Sequence, residues 1–265
     1  MIDLHSHMLP GVDDGAPNHQ VAFEMARMAV ADGIKVMACT PHFMPGLYDN
    51  TPGDIRLRTA IFQEALNQEN IPLRLVVGSD AHIRPDFLSC LRDGRILRLN
   101  DSRYVLFEPS LVVAPRHLDS LLYNIAAAGY VPIMTHPERL QWIEHGFDIF
   151  QHLFQQGVWM QITAGSLTGR FGKRPRYWAH RMLAEGMVHI LATDAHNTTT
   201  RPPLLAEAAN IAAAELGREE AHNLVQARPN MILEDEAVDV VSPATALAMS
   251  ARSAPSFFKR LFASS

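Results

Sequence analysis

The sequence predicts an α/β fold, a closed or nearly closed (β/α) barrel, on three observations. Short β-branched and apolar runs alternate with longer segments of helical period, the joints between them are short, and histidines and acids gather just after the strand-like runs. The runs read as strands are 2–5 (IDLH), 34–40 (IKVMACT), 73–79 (LRLVVGS), 104–108 (YVLFE), 131–135 (VPIMT), 158–163 (VWMQIT) and 188–193 (VHILAT). Between them helices are expected near 18–32, 53–70, 116–128, 138–156, 175–185 and 203–228. Gly33, Gly129, Gly157 and Gly186 each close a helical stretch just before a strand, where a left-handed residue ends a helix without strain. Thr51-Pro52 offers an N-cap followed by proline at the first helical position, with Asp54 in the first turn. Segment 116–128 puts Leu118, Leu121, Leu122, Ile125 and Ala126 on one stripe. This alternation implies parallel strands joined by right-handed crossovers, with an open doubly wound sheet as the competing arrangement.

Composition narrows the function. Of 265 residues, 48% are hydrophobic and 19% charged, a balance that supports a buried core and excludes wholesale disorder. With 28 acidic against 23 basic side chains the net charge is −5, which gives no general attraction to nucleic acid. Two cysteines, Cys39 and Cys90, build no disulfide framework and suggest a reducing compartment. No apolar run is long enough to span a bilayer, and the start MIDLH lacks the character of a signal peptide, so the cytoplasm is the expected location. Segment 1–240 reads as one domain and 241–265 as a peripheral tail. In the tail, Phe257, Phe258, Leu261 and Phe262 form one stripe of a short helix, with Lys259 and Arg260 opposite. That stripe either folds back on the outer helices or docks on a membrane-bound partner, its direct grip on lipid being weak or nil.

The 13 histidines are not spread evenly. His5, His7, Asp13 and Asp14 follow the first strand, His42 the second, Asp80 and His82 the third, and Glu108 the fourth. His136, Glu138 and Arg139 follow the fifth, and Asp194 and His196 the seventh. In a parallel barrel the carboxyl ends of all strands open on one face, so these residues converge on one bowl. His5-Ser6-His7 and Asp194-Ala195-His196 are pairs two apart, which point to the same side of an extended segment. Imidazole with carboxylate suits zinc, manganese or iron, and so many donors exceed what a single ion needs. The remaining histidines (His19, His117, His145, His152, His180, His189 and His222) read as surface or core residues. Asp13 reads as a turn residue of Asp13-Asp14-Gly15, and Glu138 as a cap of the following helix, while His82 faces either the bowl or solvent.

The stretches IDLHSHMLPGVDDGA at 2–16, TPH at 40–42, NDSRYVLFE at 100–108, THPER at 135–139 and ATDAHNTTTRPP at 192–203 carry a family resemblance. From Met1 to about residue 235 the sequence resembles the PHP (polymerase and histidinol phosphatase) superfamily. Within it, the likeness is to the bacterial manganese-dependent protein-tyrosine phosphatases of capsule and exopolysaccharide synthesis. The resemblance implies a distorted (β/α)7 TIM-like barrel with two or three divalent ions, Mn²⁺ first and Fe, Zn, Mg or Co as alternatives, at the C-terminal ends of the strands. It implies His5, His7 and Asp194 on one ion together with position 80, which bridges to a second ion completed by Glu108 and His136. Asp14, His42 and His196 take a third, and Arg139 and Arg201 are the phosphate-binding arginines. The family's bridge is glutamate where this chain has Asp80, a reach shorter by about 1.5 Å, and His82 stands ready as an extra ligand.

The implied activity is hydrolysis of phosphotyrosine by in-line attack of a metal-bridging hydroxide, on a membrane-associated tyrosine kinase of polysaccharide export. Cysteine-based chemistry is excluded, because it needs an arginine six positions after the cysteine, and Pro45 and Ile96 stand there. The rival readings are a small-molecule phosphatase of the histidinol-phosphatase type, a nuclease or phosphodiesterase, and a non-catalytic metal-binding scaffold.

Overall fold

The computed structural model describes residues 1–237, so the tail at 241–265 and its stripe at 257–262 lie outside the described residues. All paired strands run parallel, in two sheets. One holds β1 (Ile2–Asp3), β2 (Val36–Cys39) and β4 (Arg74–Val77) in the order β1-β2-β4. The other runs β3 (His42–Phe43), β5 (Asp80–His82), β6 (Tyr104–Glu108), β7 (Val131–Thr135), β8 (Trp159–Thr163) and β9 (Ile190–Ala192).

The expected strands 34–40 and 73–79 form as β2 and β4, and beyond each a short strand that was not expected, β3 and β5, continues after a step with a local cause. Pro41 supplies no N–H between β2 and β3, and Gly78 sits where a Cβ would lie 2.9 Å from the Thr40 methyl and 3.0 Å from Leu99. Pairing persists across the step, since Gly78 N–H donates to Cys39 O (3.0 Å) and Asp80 N–H to Pro41 O (3.2 Å). The first expected strand is also cut short at Asp3, but Ser6 forms a parallel bridge with Ala195. There the His7 amide donates to Ala195 O (2.8 Å) and the Asp194 amide to His5 O (2.9 Å).

Helices α1 (His19–Ala31), α2 (Pro52–Gln68), α4 (Leu118–Ala127) and α7 (Lys173–Ala184) fall where the periodicity predicts them, and a short α3 (Phe87–Arg92) does not. Thr51 caps α2 by accepting from the Asp54 amide. The expected helix 138–156 is not continuous. His136 is left-handed and Pro137 follows it, giving 3₁₀ turns at Pro137–Arg139 and Gln141–His145 before α5 (Phe147–Gln155). The expected helix 203–228 likewise breaks at Gly217, whose φ of 92° no helix accommodates, into α8 (Ala206–Leu216) and α9 (Arg218–His222). A π-helical turn at Asn223–Ala227 leads into α10 (Arg228–Leu233). The short α6 (Ala164–Leu167) follows β8 directly.

Burial divides into two clusters. The larger lies between the strands and the outer helices. The smaller takes alternate residues of successive strands, among them Leu4, Ala38, Val76, Leu106, Ile133, Trp159 and Ile190, with Met231 and Ile232 of α10. Alternation places the neighbours of these residues on the other face, the pattern of strands covered on both sides. The clustered histidines and acids gather at and just beyond the carboxyl ends of the strands.

Candidate metal centre

The centre begins where β1 runs out. Ser6 turns away to donate to Ala38 O (2.7 Å), so His5 and His7 both point to the opposite side. Each imidazole is held by its Nδ1. His5 Nδ1 lies 2.8 Å from Gln161 Oε1, and His7 Nδ1 lies 2.7 Å from Asp13 Oδ2. The two Nε2 atoms are thereby turned to the same spot, 3.2 Å apart, each 3.4 Å from Asp194 Oδ1. Asp194 and His136 both sit in the left-handed region, at φ 52° and 37°, a conformation uncommon for non-glycine residues.

Round the bowl, Asp80 Oδ2 is 3.4 Å from His5 Nε2 and 3.7 Å from His42 Nδ1. Glu108 meets His136 Nε2 at 3.3 Å and His82 Nε2 at 2.5 Å. Asp14 lies 3.4 Å from both His42 Nε2 and His196 Nε2. Four overlapping groups could each hold an ion: His5, His7 and Asp80; Asp80, Glu108 and His136; His7, Asp14, His42 and His196; and His42, His82 and Glu108. Asp194 adds its Oδ1 to the first. The nine candidate ligands read from the sequence thus lie together, and His82 faces the bowl rather than solvent. Arg139 and Arg201 both reach the rim, where each donates to Asp194 Oδ2, Arg201 Nη2 at 2.5 Å. The Arg139 guanidinium also lies over the Phe171 ring, 4.7 Å from its centroid.

Asp13 does more than the turn expected of it. Its Oδ1 accepts from the Gly15 amide (3.0 Å), while Oδ2 takes His7 Nδ1 and the His42 amide (3.0 Å). Glu138 caps no following helix. It is buried, accepting from the Thr163 amide (3.0 Å) and Ser166 hydroxyl (2.7 Å), and so ties the Arg139 turn to β8 and α6. Gln161 and Asp3 are polar residues that sequence reasoning passed over. A glutamine in VWMQIT and an aspartate in IDLH interrupt apolar strands, and that interruption was the available signal. Asp3 accepts from the Thr193 hydroxyl (2.5 Å) and amide (3.0 Å) just before Asp194.

Residues 1–234 match the model of the family described as capsular polysaccharide synthesis, CpsB/CapC. The chain belongs to the CpsB/CapC family. It is 36% identical to the tyrosine-protein phosphatase YwqE of Bacillus subtilis over 226 residues, covering 85% of this chain and 89% of that protein. It is 28% identical to the tyrosine-protein phosphatase CpsB of Streptococcus agalactiae over 245 residues, covering 89% of this chain and 99% of the relative. A chain from the crystal structures of YwqE from Bacillus subtilis and CpsB from Streptococcus pneumoniae, called unique metal-dependent tyrosine phosphatases, superposes with a TM-score of 0.88 at 34% identity. That match covers 92% of this chain and 98% of the other.

The charge balance of this CpsB/CapC member fits divalent cations. Both Asp80 oxygens, Asp194 Oδ1 and His196 Nε2 are buried without a hydrogen-bond partner among the described residues, an arrangement too costly to keep unless a cation completes it. Burial and Glu108 oppose ionisation of Asp80, yet His5 and His42 hold its carboxyl below the usual range. Asp194 is held well below its usual value against burial by His5 and Arg201. Burial opposes a proton on His7 as well, but Asp13 and Asp194 outweigh it and raise the ring to about 10. Burial and the neighbouring His7 charge push His196 down to about 4. The carboxylates beside His5 and His7 favour a proton on those two rings, the balance of charge that a metal ion supplies when imidazoles are neutral. Among the described residues no helix is long and apolar enough to cross a membrane.

Proposed function

We propose that this chain is a metal-dependent protein-tyrosine phosphatase. The observation that carries the reading is the convergence of five histidines and four carboxylates on one bowl, with both oxygens of buried Asp80 unpaired and two arginines at the rim. The tyrosine phosphatases among its relatives support the substrate class. His5, His7, Asp80 and Asp194 would hold one ion. Asp80, Glu108 and His136 would hold a second, and Asp14, His42 and His196 a third, with His82 available beside Glu108 to offset the short reach of Asp80. Manganese suits this nitrogen and oxygen donor set, and no thiolate is needed. Divalent ions in such a centre lower the pKa of bound water and neutralise phosphoryl oxygens.

The chain's own residues do the rest. Arg139 and Arg201 turn from Asp194 to pair the phosphoryl oxygens, a role suited to the planar guanidinium fork. Gln161 and Asp13 keep His5 and His7 presenting Nε2 to the centre. Phenolate, with a pKa of about 10, departs without a strong general acid, so none is required of the protein. We further read the two sheets as one distorted seven-unit barrel within a domain of residues 1–240. The stepped continuation of β2 into β3 and of β4 into β5, together with the Ser6–Ala195 bridge, supports closure. The substrate we assign is a tyrosine-phosphorylated, membrane-associated kinase of polysaccharide export, met from the cytoplasm.

Hydrolysis of a phosphotyrosine peptide, measured beside histidinol phosphate with and without chelator, tests this. Turnover of the peptide, lost with chelator and restored by Mn²⁺, supports the reading. Preference for histidinol phosphate reassigns the substrate, and chelator-resistant turnover removes the metal from the mechanism.

A further inference from the structure

Beside the candidate metal centre lies a cleft between the α6–α7 joint and the turn that follows Asp194. Arg170, Phe171, Gly165, Thr200 and Arg201 line it, a narrow opening to solvent rather than a deep cavity. Phe171 carries Arg139 on its ring face, so the cleft adjoins both rim arginines. Arg201 spends Nη2 on Asp194, while its Nε is buried with no hydrogen-bond partner among the described residues.

The charge around this cleft is one-sided. The chain carries a net charge of −5, yet no acid occurs between Asp148 and Glu185 or between Asp194 and Glu207, the two segments that bound the cleft. The bases of the joint divide by what they touch. Arg174 is committed to Glu144 (2.7 Å) and Leu140 O (2.5 Å), and Arg176 leans on His180 (3.4 Å). Arg170 and Lys173 are exposed. Neither side chain has a hydrogen bond or ion pair among the described residues. Lys173 and Arg174 open α7, whose first turn holds no acid and whose cap, Gly172, offers no side chain. The macrodipole disfavours cations there, so local helix stability does not account for them.

We infer that the mouth of this cleft is a subsite for an acidic side chain of the substrate peptide, with Arg170 on its lining and Lys173, three residues along the same joint, pairing an aspartate or glutamate close to the phosphotyrosine. A carboxylate matches one free guanidinium fork, whereas the rim arginines answer the phosphoryl group. The inference rests on the phosphatase reading, and it adds a sequence preference to it. Steering by such a patch is strongest at low ionic strength.

The test compares kcat/KM for two phosphotyrosine peptides that differ only in glutamate or glutamine beside the phosphotyrosine. Wild type is expected to favour the acidic peptide about 3- to 5-fold at low salt, the range of a solvent-exposed charge pair. Arg170→Gln with Lys173→Gln should bring the ratio near one, and Arg170→Glu with Lys173→Glu should turn the preference toward a lysine-flanked peptide. A wild-type ratio near one, or a ratio unchanged in both variants, overturns the subsite. The same peptides with a non-hydrolysable phosphonate for the phosphate, followed by fluorescence anisotropy, separate the two claims. If no peptide is hydrolysed, the phosphatase reading falls, while a glutamate preference in binding that the variants lose still supports the subsite and equal affinities still overturn it.

Discussion

Asp13→Asn changes one oxygen to an amide nitrogen and leaves the volume alone. In the native arrangement Oδ2 receives two donors, His7 Nδ1 and the His42 amide, and Oδ1 receives the Gly15 amide. Whichever way the amide turns, its NH₂ meets a donor. The less costly orientation gives up the half-buried Gly15 bond, and the loss of about 1 kcal/mol, typical of one hydrogen bond, lowers stability without unfolding the protein. The larger effect is on His7. A neutral oxygen no longer favours the ring orientation that presents Nε2, nor raises its basicity, and losing such a partner weakens metal affinity about 10- to 100-fold, or about 1.4–2.7 kcal/mol. Titration of Mn²⁺ against a competing chelator reads the affinity directly, and activity against Mn²⁺ concentration should shift by the same factor. Saturating metal should restore most of the rate. An affinity equal to wild type would refute the chain from Asp13 through His7 to the centre.

Asp80→Asn, which keeps the shape and removes the shared charge, should lower kcat/KM more than about 100-fold, whereas Asp80→Glu should keep activity or alter metal preference. A wild-type rate for Asp80→Asn would show that position 80 holds no ion. Cys39 is buried and its thiol is pushed up to about 12 by burial, so iodoacetamide at pH 8 should leave native Cys39 unmodified and activity intact; rapid alkylation with loss of activity would contradict this. His189 lies in the core against Trp159, held well below its usual 6.5 by burial and by the Arg228 charge. Below about pH 6.5 the unfolded chain therefore binds a proton that the folded chain refuses, so stability is full above that pH. It falls as pH drops, by up to about 1.4 kcal/mol per unit. His189→Asn keeps an acceptor for the Met160 amide and should flatten the fall of Tm between pH 6.5 and 5; parallel slopes would refute the assignment.

The sequence made the centre legible because parallel strands carry their carboxyl ends to one face, so His5 and His196 could be placed together without knowing any contact. Identity of chemistry was legible too, since imidazole and carboxylate at strand ends leave few other readings. Supporting groups were not. Asp13 looked like a turn residue because its bond to the His42 amide joins positions 29 apart, and no local pattern announces such a bond. Glu138 looked like a cap for the same reason, its partners lying on β8 and α6. Helix boundaries failed where periodicity outweighed punctuation. Pro137 and Gly217 marked the breaks, but the apolar stripes on either side read as continuous.

The meeting of the first strand with the last governs when the full donor set assembles. Asp3 accepts from Thr193 across 190 positions, and the His5 carbonyl accepts from the Asp194 amide. His5 and His7 leave the ribosome long before Asp194 and His196 do. Until then the emerging chain lacks Asp194 and His196, although the groups Asp80, Glu108 and His136, and His42, His82 and Glu108, are already in its sequence. Such long-range closure is slow, because the entropy of a loop nearly as long as the domain must be overcome first. Completion of the donor set is thereby tied to the pairing of these two strands. Separation of these two strands in the mature protein would carry Asp194 away from His5 and His7 and break up the donor set.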